Sequence, residues 1–387
     1  MKKTLMILAL AITLTACANT NDKEKVEKPK LEAVNEENSK DENNDKVDAS
    51  SEEEKKVADK AEDGELEKHS ETVYDYFDTV TTFLAYTKDE EEFNHYMKVL
   101  KDELKIYHEL YNSYDAFDGV NNFRTINDNA GKKPVKVDPK VIELIEYSKK
   151  MYELTNGKIN IAMGSLLGLW HDYREMSIDH PDKAAIPEES MLVKASKHKD
   201  IDSIEVDEKA GTVFIKDPDV KIDIGAIGKG YATKIIAHKL EAEGLKHGIL
   251  SVGGDDVLIG DNPQSDNSFF RIAIQNPDLE DKDNPYSSIV TLKNTSVVTS
   301  GDYQRYFMVN GKRYHHIIDP ATMYPSTRWR SVSVILDDIA KADTISTYLF
   351  IIDQKEGLEF AKKVGAQVMW IDENYNITTT EGWPEAN

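Results

Sequence analysis

The 387-residue chain contains one cysteine, Cys17, so it has no intrachain disulfide and no cysteine-rich zinc site. Basic residues are few: 48 Lys and Arg stand against 71 Asp and Glu, a net charge of −23. That balance argues against nucleic acid or anionic lipid as a partner. Membrane-length apolar runs are missing too. The run at residues 5–14 is only about half the length a spanning helix needs. Aromatic residues are absent from 18–70, where Asp, Glu, Lys, Asn and Ser dominate. Such a stretch cannot bury enough apolar surface to offset its ordering entropy, so it is expected to be a flexible tether with a reach of about 40 Å.

Lys2 and Lys3 precede the apolar run, which ends in Leu14-Thr15-Ala16-Cys17. A basic start, a short apolar core and a small-residue cleavage site make a secretory signal. It resembles a bacterial lipoprotein signal, in which Cys17 is lipidated and becomes the new N-terminus; an ordinary signal peptide with an incidental cysteine is the alternative. The expected organisation is a signal peptide at 1–16, lipidated Cys17 with an acidic tether at 17–72, and one folded domain at 73–387. The expected place is the outer face of the cytoplasmic membrane, held by the lipid anchor.

Periodicity in the folded part gives mixed α and β. Residues 73–87 read as one β-branched and aromatic strand, and 93–111 carry apolar residues at helical spacing. Asp138-Pro139 is an N-cap followed by proline at N1, starting a helix to about 154. A helix is expected at 163–176 and short strands at 203–222. A helix at 229–243 and strands over 249–336 follow, then helices at 340–351 and 355–364 and a closing hairpin near 368–379. Strands come in blocks rather than in strict alternation with helices, which favours α+β with mostly antiparallel sheets.

Five motifs carry candidate chemistry. Residues 221–231, KIDIGAIGKGY, read as a strand running into three glycines around Lys229 and then a helix. Such a turn exposes amides and a cation to a phosphate, although glycine turns before helices are also common without a ligand. SVGGD ends in Gly253, Gly254 and Asp255; VTSGDYQRY follows at 298–306; HHIIDPATMYP carries two adjacent histidines. In extended chain those histidines point to opposite faces, so at most one enters a site. In ADTISTYLF, Asp343 and Thr347 are four apart on one helix face, an oxygen pair that suits Mg²⁺ or, in the plainer reading, a capping aspartate beside an unrelated threonine.

In this order and spacing the five motifs resemble the ApbE family of flavin transferases, over about residues 76–372. The resemblance implies an enzyme that uses Mg²⁺ to transfer FMN from FAD to a Ser or Thr hydroxyl of an acceptor flavoprotein, releasing AMP. It implies metal ligation by Asp343, Thr347 and the Ala226 carbonyl, and phosphate support from Lys229 and neighbouring amides. His316 or Asp343 would act as the base. FAD contacts are implied for Asn112, Ser113 and Tyr114, then Asp223 and Gly225 in the glycine turn, then Gly253 and Gly254. Further contacts fall on Thr299, Ser300, Gly301, Asp302, His316 and Asp319. Asn160, Ala162 and Met323 stand where the family commonly has Asp, Thr and Gly. These departures resemble a Gram-positive lipoprotein branch that includes enzymes flavinylating surface proteins for extracellular electron transfer. An FAD pyrophosphatase and a non-catalytic flavin- or solute-binding lipoprotein are the alternatives. The sequence leaves the oligomeric state open.

Overall fold

The structure, a computed structural model, describes residues 66–74 and 76–386; the signal, Cys17 and most of the expected tether lie outside the described residues. Along the chain, β1 (Glu67–Val73) and β2 (Thr81–Thr87) lead into α1 (Glu90–Leu110) and the short α2 (Phe123–Asp128). Next come β3 (Val135–Lys136), α3 (Pro139–Leu154), α4 (Gly164–Asp179) and α5 (Glu189–Ala195). Strands β4 (Ile204–Asp207) and β5 (Thr212–Ile215) precede α6 (Gly228–Ala242). The strand block holds β6 (Gly248–Val252), β7 (Asp255–Ile259), β8 (Phe270–Gln275), β9 (Tyr286–Leu292) and β10 (Ser296–Gly301). It ends with β11 (Tyr306–Val309), β12 (Lys312–His315) and β13 (Trp329–Leu336). Helices α7 (Ile339–Ile351) and α8 (Gln354–Val364) and the hairpin β14 (Gln367–Asp372), β15 (Ile377–Thr379) close the fold.

Eight strands form one sheet in the order β1-β2-β6-β7-β10-β13-β14-β15, with every neighbouring pair antiparallel. The class is α+β. Both faces of the central strands are buried. Phe83, Leu250, Val298, Val332, Val334 and Trp370 point into the main core, which holds residues of α1, α6 and α7. Leu84, Val297, Ile335, Met369 and Ile371 point the other way, into a second core with the β8–β9 hairpin. Helix α7 is buried along nearly its whole length, as an all-round apolar helix must be. Helix α3 starts as its sequence specifies: the Asp138 side chain accepts from Lys140 N–H and Pro139 takes N1.

Three expectations are corrected. Residues 73–87 are not one strand, because Phe77 (φ 56°) and Asp78 (φ 49°) turn the chain left-handed between β1 and β2. The expected tether boundary at 72 is too late, since β1 already pairs along all of β2 from Glu67. Cross-strand partners, invisible in composition, order that polar segment. Residues 221–224 do not form a strand either. Lys221 makes a single bridge to Met163, and the chain then turns directly into α6.

Candidate functional site

The site forms where α6 crosses α7 beside the ends of β7 and β10. A Cβ on Gly230 would lie 2.4 Å from Asp343 Cβ, so only glycine permits this approach of the two helices. The contact has a polar consequence: Gly230 N–H donates to Asp343 Oδ2 at 2.7 Å. Gly230 is the third residue of α6, so its N–H is one of the first-turn donors that no helical carbonyl reaches, and Asp343 satisfies it.

Asp343 is 5 % exposed. Burial pushes its carboxyl up to about 7 against the opposing charge of Lys229, and the nearby Asp255 adds to the rise. Asp255 is also buried and ion-paired with Lys229; burial pushes its carboxyl up against the pull of that cation. One helical turn beyond Asp343, Thr347 Oγ1 lies 3.3 Å from Ser300 Oγ, which also bonds Ser346 Oγ at 2.7 Å. Asp343 and Thr347, four apart on α7, put a carboxylate and a hydroxyl on one helix face, oxygen donors of the kind a hard divalent cation takes. Ala226, expected to add its carbonyl, lies in the turn just before α6.

His315 and His316 diverge as expected. His315 is buried, its Nε2 on the Ser326 carbonyl at 2.5 Å, and burial pushes it down to about 4. His316 is half-buried, and its Nδ1 faces the Arg305 carbonyl at 3.3 Å. A carbonyl only accepts, so Nδ1 carries the proton and Nε2 keeps a free lone pair. Burial, with the charge of Arg305 beside it, holds His316 well below its ordinary value and therefore neutral.

The glycine turn itself differs from the expected phosphate cradle. Gly225 N–H goes to Asp223 Oδ1, those of Ile227 and Gly228 go to the Ile224 carbonyl, and that of Gly230 goes to Asp343. The Lys229 ammonium is committed to Asp255. Most of the turn's donors are therefore spent inside the protein. The second motif turns through Gly253 (φ 64°) and Gly254 (φ 84°), placing Asp255 for Lys229.

Other expected contacts separate into two groups. Tyr114 reaches the turn, donating from its hydroxyl to Asp223 Oδ2 at 3.1 Å, while Asn112 Oδ1 accepts from Tyr114 and Asp115 N–H at 2.7 Å each. Ser113 lines the cavity beside them. Thr299 Oγ1, by contrast, pairs with Ser333 Oγ at 2.8 Å across the strands, on the face opposite Ser300. The Asp302 carboxylate is held by Arg330 at 2.6 Å and Arg313 at 3.3 Å. Gly301 makes room for the Tyr303 ring, and Asp319 Oδ1 caps its own turn through Ala321 N–H at 2.8 Å. These four are engaged within the protein. Asn160 and Ala162 are buried, the Asn160 side chain bridging Lys199 O and Ala162 N. Met323 takes a left-handed φ of 67°, which explains glycine's usual place there.

Sequence reasoning missed Arg305, although it lies within DYQRY, and gave no part to His171 and Arg174 on α4. Away from the site, His198, Asp217 and Asp219 cluster at the surface, with His198 Nδ1 2.9 Å from Asp217 Oδ2.

The sequence model of the ApbE family matches residues 77–370. This chain belongs to the ApbE family. The FAD:protein FMN transferase of Vibrio cholerae is 27 % identical over 291 residues, 74 % of this chain and 82 % of that protein. One from Klebsiella pneumoniae is 32 % identical over 234 residues, covering 60 % and 68 %. Among solved structures, the ApbE protein of Thermotoga maritima superposes with a TM-score of 0.71 at 26 % identity, over 81 % of this chain and 97 % of that one. The Vibrio cholerae flavin transferase ApbE shares the fold, with a TM-score of 0.67 at 20 % identity over 82 % and 98 % of the chains.

Proposed function

We propose that this ApbE-family protein is an FAD:protein FMN transferase, moving FMN from FAD to a Ser or Thr hydroxyl of an acceptor flavoprotein. The observation that carries the reading is the buried Asp343 carboxylate, held where α6 meets α7 beside the Lys229–Asp255 pair, with the Thr347 hydroxyl one turn along the same helix. Mg²⁺ bound to those oxygens would withdraw charge from the diphosphate. The acceptor hydroxyl oxygen bonds to the phosphorus of the FMN half, the bond from that phosphorus to the bridging oxygen breaks, and AMP leaves. The hydroxyl proton passes to His316 Nε2, which is free because Nδ1 is tied to Arg305 O. Asp343 is the less suitable base, since a carboxylate bound to a cation is a poor proton acceptor.

Location belongs to the same proposal: a signal ending at Cys17 would anchor the enzyme by lipid at the outer membrane face, where surface flavoproteins of electron transfer are its expected acceptors. Incubation of the protein with FAD, Mg²⁺ and a candidate acceptor tests the activity. Covalent flavin fluorescence on the acceptor supports transfer. FMN and AMP without labelled acceptor would mean pyrophosphatase chemistry, and bound but unchanged FAD would mean a binding protein.

A further inference from the structure

Arg305 and His316 close the base of the β11–β12 hairpin, so the proton acceptor of the proposed reaction stands at the foot of a two-stranded sheet. The hairpin turns tightly through Asn310 (φ 50°) and Gly311 (φ 76°), the left-handed pair that a two-residue loop favours. One face is covered. Phe307, Val309 and Tyr314 join an apolar cluster with Trp170 of α4, whose ring stacks on Tyr314 with centroids 5.9 Å apart.

The outer edge of β11 is open. His316 N–H donates to Arg305 O at 3.2 Å, which makes those two a hydrogen-bonded pair. Alternation along an antiparallel ladder then turns the main-chain groups of Tyr306 and Met308 outward, away from β12. Among the described residues nothing bonds those outward groups. The edge of β12 is better covered at its base: Ile317 O accepts from Ser326 N–H, and Ile318 bridges to Pro325. Exposed edges are commonly blunted by lysine, proline or a bulge. Strand β11 reads Tyr-Phe-Met-Val, pairs without a shift of register, and leaves Met308 46 % exposed.

Charge indicates what the edge would take. In a chain of net charge −23, residues 303–336 hold five Lys and Arg and a single acid, Asp319. Two of the five, Arg313 and Arg330, are spent on Asp302. Arg305 and Lys312, the latter over the Tyr314 ring, make no ion pair among the described residues. An extended acidic segment laid on β11 would pass one strand spacing, ~4.8 Å, from Arg305, on whose carbonyl His316 rests.

We propose that β11 is the docking edge for the acceptor flavoprotein, which adds an extended acidic segment beside Tyr306 and Met308 and so carries its Ser or Thr hydroxyl to His316. The proposal rests on the transferase reading, and the first measurement separates the two. A wild-type protein that labels no acceptor would sink that reading, and the docking edge with it. Once transfer is seen, the hairpin is tested on its own.

With a labelled acceptor, KM for that acceptor should rise with salt. Lys312→Glu, at an exposed side chain, should raise it about threefold or more and flatten its salt dependence, with FAD affinity by calorimetry unchanged. Met308→Pro removes one outward N–H and no bond to β12, and should raise the acceptor KM by a similar factor. Hydrogen exchange on the wild type needs no variant of the enzyme to fold. The Tyr306 and Met308 amides should exchange more slowly with an acceptor whose target Ser or Thr is replaced by Ala, while those of Phe307 and Val309, already bonded to β12, change little. Unchanged exchange at Tyr306 and Met308 would overturn the proposal. An acceptor KM indifferent to salt and to Lys312→Glu, or a loss of FAD affinity matching the rise in KM, would overturn it as well.

Discussion

At the residue scale the chemistry turns on Asp343 and His316, which the fold holds away from their ordinary state. Asp343, raised from 3.8 to about 7, keeps a proton in the folded protein that the unfolded chain has lost. Stability should therefore fall as pH rises from about 4 to about 7 without a divalent cation. Urea denaturation of cation-free wild type and Asp343→Asn at pH 4.5 and 7.5 checks this. The wild type should lose stability relative to the variant at the higher pH, and equal slopes would place the titration elsewhere. His315, pushed down by burial, acts in the opposite sense but equally in both proteins. Mg²⁺ should stabilise the wild type more at pH 7.5 than at 5.5, and the variant little at either.

His316 is neutral well below pH 6.5, so its own protonation should leave no inflection near that pH in the rate of transfer. His316→Ala should lower transfer by about 10²-fold or more and leave FAD affinity within a few-fold. Near-normal transfer by that variant, measured as covalent flavin on the acceptor, would remove His316 from the mechanism.

At the element scale, α6 and α7 create the site by approaching closer than side chains normally allow. Alanine suits a helix interior better than glycine by ~1 kcal/mol, so a surface Gly→Ala change in a helix stabilises. Gly230→Ala should do the reverse. Its Cβ would meet Asp343 Oδ2 and the Ile339 carbonyl, both at 2.9 Å, besides Asp343 Cβ. Destabilisation of about 1–3 kcal/mol by thermal melting, with loss of transfer, is the expected outcome. A variant as stable and active as wild type would show that the helices do not need this contact. The glycines of GAIGKG were legible as a signal for close approach. The partner was not, because Asp343 lies 113 residues further on. The pattern therefore pointed to a bound anion where the fold instead brings a second helix.

At the scale of the whole molecule, both ends of the described chain are tied to strands. Strand β1 covers the edge of β2, and the C-terminal residues run beside β9, where Thr291 N–H donates to Pro384 O and Ala386 N–H to Ile289 O. Trp383 packs on the second core and donates its indole N–H to Ser288 Oγ at 3.2 Å. A protein starting at residue 65 should melt as the full chain does, whereas one starting at 74 loses β1. Removal of 380–386 should cost about 1–3 kcal/mol by exposing the second core. Unchanged melting after either of the last two deletions would contradict the packing described.

Local physics was enough for much of the chain. The Asp138-Pro139 start of α3, the apolar length of α7, the blocks of strands and the four-residue spacing of Asp343 and Thr347 follow from contacts within a few residues, so the sequence alone determines them. The order of five motifs likewise sufficed to indicate the family. What only the tertiary structure decided depends on residues far apart in the chain. It ordered the polar segment at Glu67 by pairing it with β2, and gave Asp302 to two arginines instead of a ligand. It spent most of the glycine-turn amides and the Lys229 ammonium within the protein. Burial and pairing are properties of the assembled fold, and they set which polar groups remain free for chemistry.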